Sequence, residues 1–186
     1  MSFSSQILAS QGRGVSGPVR SAGFTLIELM VTLAVIAILA VVAVPATQTL
    51  VNGNRLAGTS GEVTAALQLA RSEAVRRSAR VTMCRSTDGL NCAAGTAWTS
   101  WIVVDPRFPV TAPADRIIRS EAVAAPIRVS GPAAGIVFRP SGLIASQETV
   151  TVCIPTANPA DNQRVVTVMV SGTTRADRAN GGGACP

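Results

Sequence analysis

The sequence predicts an α+β fold in which one long N-terminal α-helix packs on a C-terminal antiparallel β-sheet domain. An apolar run begins at Phe24 and ends at Val44. An amphipathic stretch follows it, with apolar residues at helical spacing. From Val81 onward, short β-branched segments alternate with glycine and proline, which is typical of antiparallel strands joined by turns.

Residues 1–23 predict a solvated basic leader rather than a folded element. They are rich in serine, glycine and alanine, and they carry Arg13 and Arg20 but no acidic residue. Their glycines and their proline disfavour a helix. Positive charge before an apolar segment keeps the N-terminus in the cytoplasm, so we expect everything after the segment to face the periplasm or the outside.

The run from Phe24 to Val44 predicts a single transmembrane helix in the inner membrane. Its 21 residues include one charged residue, Glu28. A helix of this length, at roughly 1.5 Å per residue, spans the hydrocarbon core of a bilayer. The run is longer than the apolar region of an ordinary secretory signal, which has about 7–15 residues.

Glu28 indicates that the helix is more than a plain anchor, because a carboxylate inside a membrane is costly and such residues are usually functional. Cleavage between Gly23 and Phe24 would keep the apolar run in the mature protein. It would also create a positively charged α-amino group at Phe24. Glu28 can meet such a charge, most usefully on a neighbouring subunit.

Residues 45–78 predict the amphipathic half of the same helix. We expect the helix to run from Phe24 to about Arg77 and to bend at Pro45, whose ring removes one hydrogen bond. The apolar stripe on one face predicts contact with the globular domain. Its members are Leu56, Val63, Leu67, Ala70 and Ala74.

Residues 79–186 predict a β-rich globular domain that faces the periplasm or the cell exterior. Trp98 and Trp101 are expected to pack the sheet against the helix. The candidate strands are Val81–Arg85, Thr99–Asp105, Arg116–Arg119, Ile127–Ser130, Ile136–Arg139, Thr149–Ile154 and Val165–Ser171.

Composition argues against an enzyme. The 186-residue chain has no histidine, which removes the commonest general base and the commonest metal ligand. No nucleotide-binding or hydrolase motif is present, so we expect neither catalytic residues nor a cofactor or metal. The basic residues are all arginine and give a formal net charge of +6. The use of arginine in place of lysine is explained either by codon preference or by selection for phosphate contacts.

Four cysteines lie outside the apolar run, which favours disulfides in an exported domain. Four cysteines allow three pairings. The short gap favours Cys84–Cys92 as a local link, and Cys153–Cys185 would then tie the C-terminal tail to a strand. A zinc site fits poorly, because the chain has neither a CxxC spacing nor a histidine.

The segment GFTLIELMVTLAVIAILAVVAVP, from Gly23 to Pro45, closely resembles the type IV prepilin signature. That signature has glycine before the cut, then phenylalanine first, glutamate fifth and proline twenty-second in the mature chain. The resemblance implies that prepilin peptidase cuts after Gly23 and that Phe24 becomes N-methylated. It also implies that Thr25 and Glu28 set the register between subunits, and that Pro45 marks a bend in the helix.

The segments LARSEAVRR (Leu69–Arg77) and VTMC (Val81–Cys84) are similar to the GspH/FimT family of minor type IV pilins and minor pseudopilins. This similarity implies the type IV pilin fold. It also implies a minor pilin that is incorporated in, or primes, a type IV pilus together with other major or minor pilins. The alternative is a GspH-like minor pseudopilin of a type II secretion system. A major pilin is disfavoured, because the resemblance after residue 54 is to minor subunits.

Some FimT-type members bind DNA for natural transformation through a basic C-terminal motif that resembles GRxR. The tail of this chain departs from the motif, since Arg175 and Arg178 are spaced RxxR and Asp177 lies between them. The two arginines are candidates for contact with double-stranded DNA. The alternative is that they belong to a solvated loop.

Overall fold

The computed structural model describes residues 23–186, apart from the side chains of residues 42–46. The predicted leader therefore lies outside the described residues, except for Gly23. The chain divides into two compact units, one that ends at Val41 and one that comprises Val42–Pro186.

A single long helix, α1, extends from Leu26 to Arg76. Its bounds lie within two residues of those that the sequence predicts. Among the described residues, no helix combines the length and the apolar character that crossing a membrane requires. The bend expected at Pro45 falls on residues whose side chains are outside the described set, and it stays a prediction.

Nine strands and one short helix follow α1. In chain order they are β1 (Val81–Ser86), β2 (Ala97–Trp98), β3 (Ser100–Val104), α2 (Pro113–Arg116), β4 (Ile117–Ala122), β5 (Arg128–Ser130), β6 (Ile136–Phe138), β7 (Glu148–Cys153), β8 (Gln163–Val168) and β9 (Thr174–Ala179).

The strands form two antiparallel sheets. The first has four strands in the order β4-β3-β1-β6, and the second has five in the order β2-β5-β7-β8-β9. Every strand pair is antiparallel, which agrees with the short connections between the strands. In this order β9 is an edge strand, and its one neighbour is β8.

The core lies between α1 and the two sheets. The predicted apolar stripe of α1 is fully buried in it, from Leu56 to Ala74. Trp98 and Trp101 are each 1% exposed and belong to the same core cluster, as expected. With few aromatic residues elsewhere, the remaining core is mostly valine, isoleucine and leucine, whose full burial contributes about 1.5–3 kcal/mol per side chain.

The α+β class and the helix-on-sheet packing are confirmed. The sequence did not reveal that the strands divide into two sheets. It also missed β2, α2 and β9. The last of these has the sequence TRADRA, and its lack of large apolar residues made it resemble a loop.

Candidate functional site

The N-terminus of α1 is capped by its own sequence. The backbone N–H of Glu28 donates to Oγ1 of Thr25 at 3.2 Å, and the N–H of Leu29 donates to the carbonyl of Thr25 at 3.2 Å. Thr25 is therefore the residue that caps α1, and Glu28 is the third helical residue after it. This spacing is that of a capping box, in which a threonine satisfies an otherwise unpaired helix donor.

The helix surface that follows the cap is apolar. Every large apolar side chain from Phe24 to Val41 is at least half exposed in the single chain, and Phe24 is 83% exposed. A continuous surface of this kind is typical of contact with lipid or with other proteins. Glu28 is the acidic residue of this surface.

The residues of the LARSEAVRR segment build an ion-pair network at the other end of α1. Glu73 accepts hydrogen bonds from Arg76 and from Nε of Arg77, the latter at 2.7 Å. Nη1 of Arg77 reaches Oδ2 of Asp105, just after β3, at 3.4 Å. Asp105 also accepts two side-chain hydrogen bonds from Arg107. The network joins the end of α1 to the four-stranded sheet.

Both carboxylates of this network are held in their charged form. Hydrogen bonds from Arg107 lower the pKa of Asp105, although the burial of its side chain opposes the shift. Hydrogen bonds from Arg76 and Arg77 lower the pKa of Glu73 in the same way. These are structural roles, because both groups are paired with arginines.

The structure contains two disulfides, Cys84–Cys92 and Cys153–Cys185, with Cα atoms 5.5 and 5.6 Å apart. These are the pairings that the sequence favours. The first closes a short loop after β1. The second joins the end of β7 to the C-terminal tail.

Asn162 is a buried side chain that holds the same tail. Its Nδ2 donates to the carbonyls of Ile154 and Ala184 at 3.0 and 3.1 Å, and its Oδ1 accepts from the N–H of Gly181 at 2.8 Å. The sequence does not predict this role, because one asparagine in a polar segment carries no signal of burial.

Arg175 and Arg178, the two candidates for DNA contact, lie on β9 but on opposite faces of the sheet. Three positions separate them, and side chains alternate between the faces of a strand. Arg175 is paired with Asp177 on its own face, with Nη2 2.8 Å from Oδ1. Within the described part of the chain, Arg178 forms no ion pair. The structure therefore does not bring the two arginines together.

The neighbour of Arg178 is instead Arg164. The register between β8 and β9 places Arg164 directly opposite Arg178. Both line an open groove of about 410 Å³ between α1 and this pair of strands. Burial lowers the pKa of the Arg164 guanidinium, and the charge of Arg178 lowers it further, whereas Asp161 partly offsets the shift.

Comparison with known proteins agrees with these features. The model of a family described as "Type II transport protein GspH" matches residues 59–174, and the model of the "Prokaryotic N-terminal methylation motif" matches residues 19–44. None of the curated proteins compared with the chain matches it.

Two solved structures are similar in fold. The type IV minor pilin FimU of Pseudomonas aeruginosa is 22% identical, with a TM-score of 0.51; the match covers 67% of this chain and 89% of that one. The minor pseudopilin EpsH of Vibrio cholerae is 13% identical, with a TM-score of 0.47; the match covers 67% of this chain and 97% of that one.

The GspH family model covers more than half of the chain, and the N-terminal methylation motif ends within the apolar half of α1. The chain therefore belongs to the GspH family and is a minor pilin or pseudopilin of the type IV pilus and type II secretion group.

Proposed function

We propose that this protein is a minor type IV pilin that is made as a precursor and is incorporated in a pilus or primes its assembly. Prepilin peptidase cuts between Gly23 and Phe24, and Phe24 is then N-methylated. The observation that carries this proposal is the N-terminal segment itself. It matches the methylation motif, and its apolar surface begins directly at Phe24.

In this proposal residues 1–23 are the cleaved leader, residues 24–44 span the inner membrane, and residues 45–78 form the amphipathic half of the helix. Residues 79–186 form the periplasmic or extracellular domain. The uncharged run after Glu28 and the basic leader support this arrangement. The two disulfides support an oxidising compartment for the domain.

Glu28 sets the register between subunits once the leader has been removed. An isolated carboxylate in a low-dielectric helix bundle is costly until a positive charge approaches it. The new α-amino group at Phe24 of a neighbouring subunit supplies that charge. Thr25 contributes by capping the same helix end, since its Oγ1 is held by the N–H of Glu28.

The role is structural rather than catalytic. Glu73 and Asp105, whose pKa values are lowered, serve ion pairs at the end of α1. The partners that follow from this role are prepilin peptidase, other pilins and the inner membrane.

The second candidate machine is a type II secretion system, in which the chain would be a minor pseudopilin. Deletion of the gene in its host distinguishes the two. Loss of surface pili with normal secretion of exoenzymes supports the pilus. Loss of secretion with normal pili contradicts the leading proposal and favours the secretion machine.

We also propose that the globular domain contacts double-stranded DNA through β9. Support comes from Arg178, which is exposed and forms no ion pair among the described residues, whereas Arg175 is occupied by Asp177. Binding of DNA to the full chain in detergent, measured across a salt series, tests this. Affinity that falls steeply with salt supports phosphate contact, and no binding at low salt contradicts it.

A further inference from the structure

Two arginines face each other across the edge of the five-stranded sheet without a carboxylate between them. Residues directly opposite each other in an antiparallel pair have Cβ atoms about 4.5–5.5 Å apart, and like charges in that position are destabilising. Arg164 and Arg178 occupy such a position. An anion between them would remove this repulsion.

The arginines differ in how they are held, which leaves donors available in the groove. Nη1 of Arg164 donates to the carbonyls of Asp161 and Gln163 at 2.9 and 2.8 Å, so the guanidinium is fixed in place. Within the described residues, its Nε and Nη2 have no hydrogen-bond partner, and neither has the side chain of Arg178. A fixed guanidinium loses little conformational entropy when it binds a ligand.

The opposite wall of the groove is the polar side of α1. It contributes Ser60, Thr64 and Gln68, and Gln68 also reaches Thr174 on β9 at 3.4 Å. None of the residues that line the groove is acidic. The nearest acid on β9, Asp177, lies on the other face and is paired with Arg175.

The size and chemistry of this groove fit a phosphate group. Its volume of about 410 Å³ holds a phosphate with several waters, since one water in the liquid occupies roughly 30 Å³. Guanidinium donors match phosphate oxygens in bidentate geometry. The hydroxyl of Thr64 already donates to the carbonyl of Ser60, whereas Nε2 of Gln68 keeps one N–H beyond its bond to Thr174. The groove is open rather than enclosed, so a phosphate that belongs to a long polymer can enter it.

We propose that the groove between α1 and the β8–β9 edge binds a backbone phosphate of double-stranded DNA between Arg164 and Arg178. The choice of DNA as the source of the phosphate rests on the DNA-binding role proposed above. The pairing of Arg164 with Arg178 rests on the strand register alone. Arg164 is then the second DNA-contacting arginine, in place of Arg175.

The test uses the full chain in detergent with two probes, a 20-base-pair duplex and inorganic pyrophosphate. The variants are Arg164→Gln, Arg178→Gln and a matched control, Arg175→Gln, which removes the same charge from the other face of β9. We expect each groove variant to weaken duplex binding about tenfold, because a charged hydrogen bond is lost. Each should also reduce the salt slope by about one, whereas the control should stay within about twofold of the wild type.

Folding is checked by thermal unfolding, in which pyrophosphate should raise the Tm of the wild type but not that of either groove variant. Arg164→Lys keeps the charge and should retain part of the affinity, which separates a binding defect from misfolding.

Duplex binding that survives in Arg164→Gln, or that Arg175→Gln weakens equally, overturns the groove while leaving the DNA-binding role intact. Stabilisation by pyrophosphate without any duplex binding overturns the assignment to DNA, and with it the DNA-binding role.

Discussion

Nε of Arg77 donates to Oε2 of Glu73 at 2.7 Å, one helical turn before it on α1. The same guanidinium reaches the buried carboxylate of Asp105 beyond β3. The Glu73 and Arg77 positions of the LARSEAVRR segment thus have a structural purpose, since they fix where the helix ends against the first sheet. Their occurrence in the segment does not require contact with another subunit.

The network makes stability depend on pH in the acid range. The pKa of Asp105 is lowered in the folded chain, so its contribution is complete above the unfolded pKa of about 3.9 and is lost as pH falls through the folded pKa. Glu73 behaves in the same way. Thermal unfolding between pH 6 and pH 2 should show the Tm falling below about pH 4.

Asp105→Asn separates this effect from general acid unfolding. The change should cost about 1–3 kcal/mol near neutral pH, because Arg107 and Arg77 lose their charged acceptor. Its Tm should then fall less steeply with acid than that of the wild type. An Asp115→Asn control, on the exposed helix α2, should leave the dependence of the Tm on pH unchanged. Equal acid slopes in the wild type and Asp105→Asn would contradict this account of the network.

Substitution of Gly23 by a bulky residue should block removal of the leader. We expect Gly23→Trp to accumulate as full-length precursor in the membrane, because the peptidase must accommodate the residue before the cut. Gly17→Trp, elsewhere in the leader, is the control and should be shortened normally. Immunoblotting against the mature chain measures the length of both variants. Normal shortening of Gly23→Trp would contradict the proposed cleavage site.

Glu28→Ala should spare membrane insertion but impair assembly into filaments, because the α-amino group of the neighbouring subunit then loses its partner. Thr32→Ala is a suitable control, since Thr32 also lies in the first turns and its hydroxyl donates to the carbonyl of Leu29 within the same helix. Incorporation is measured by immunoblotting of sheared filaments. Wild-type incorporation of Glu28→Ala would argue against the register role.

Thr25→Ala addresses the cap instead. The loss of its hydroxyl leaves the N–H of Glu28 without this acceptor and should cost about 1 kcal/mol of helix stability. We therefore expect a milder assembly defect than that of Glu28→Ala, measured on the same sheared filaments. Assembly defects of equal size would indicate that the cap, rather than the carboxylate charge, governs docking.

Asn162→Ala should loosen the C-terminal tail even while the Cys153–Cys185 disulfide stays closed. The change leaves the N–H of Gly181 without its acceptor, at a cost of about 1–3 kcal/mol, and removes one of the donors to the carbonyls of Ile154 and Ala184. Hydrogen exchange should increase at residues 181–185, whereas Asn54→Ala, at an exposed position on α1, should change it little. Unchanged exchange in Asn162→Ala would show that the disulfide alone holds the tail.

Non-reducing mass spectrometry should find both disulfides in the exported protein, and free thiols would refute them.

The parts of the fold that could be predicted are those with a local pattern. The stripe from Leu56 to Ala74 repeats at helical spacing, and the strand Val81–Arg85 begins with two β-branched residues, so the sequence predicts both. Edge strand β9 has polar residues on both faces, which removes the alternation on which strand prediction depends.

The juxtaposition of Arg164 and Arg178 could not be predicted for a different reason. It depends on the register of β8 against β9 across the turn at residues 169–173. A register shifted by one residue would place Arg164 opposite Asp177 or Ala179 instead, and no local pattern in the sequence fixes that choice.

The exposed edge of β9 has a consequence for aggregation. An unpaired edge presents free backbone N–H and C=O groups to strands of other molecules. Charged side chains on the edge strand are the usual protection against such pairing. Arg175, Asp177 and Arg178 give β9 that protection. At high local concentration the domains therefore resist joining through this edge of the five-stranded sheet.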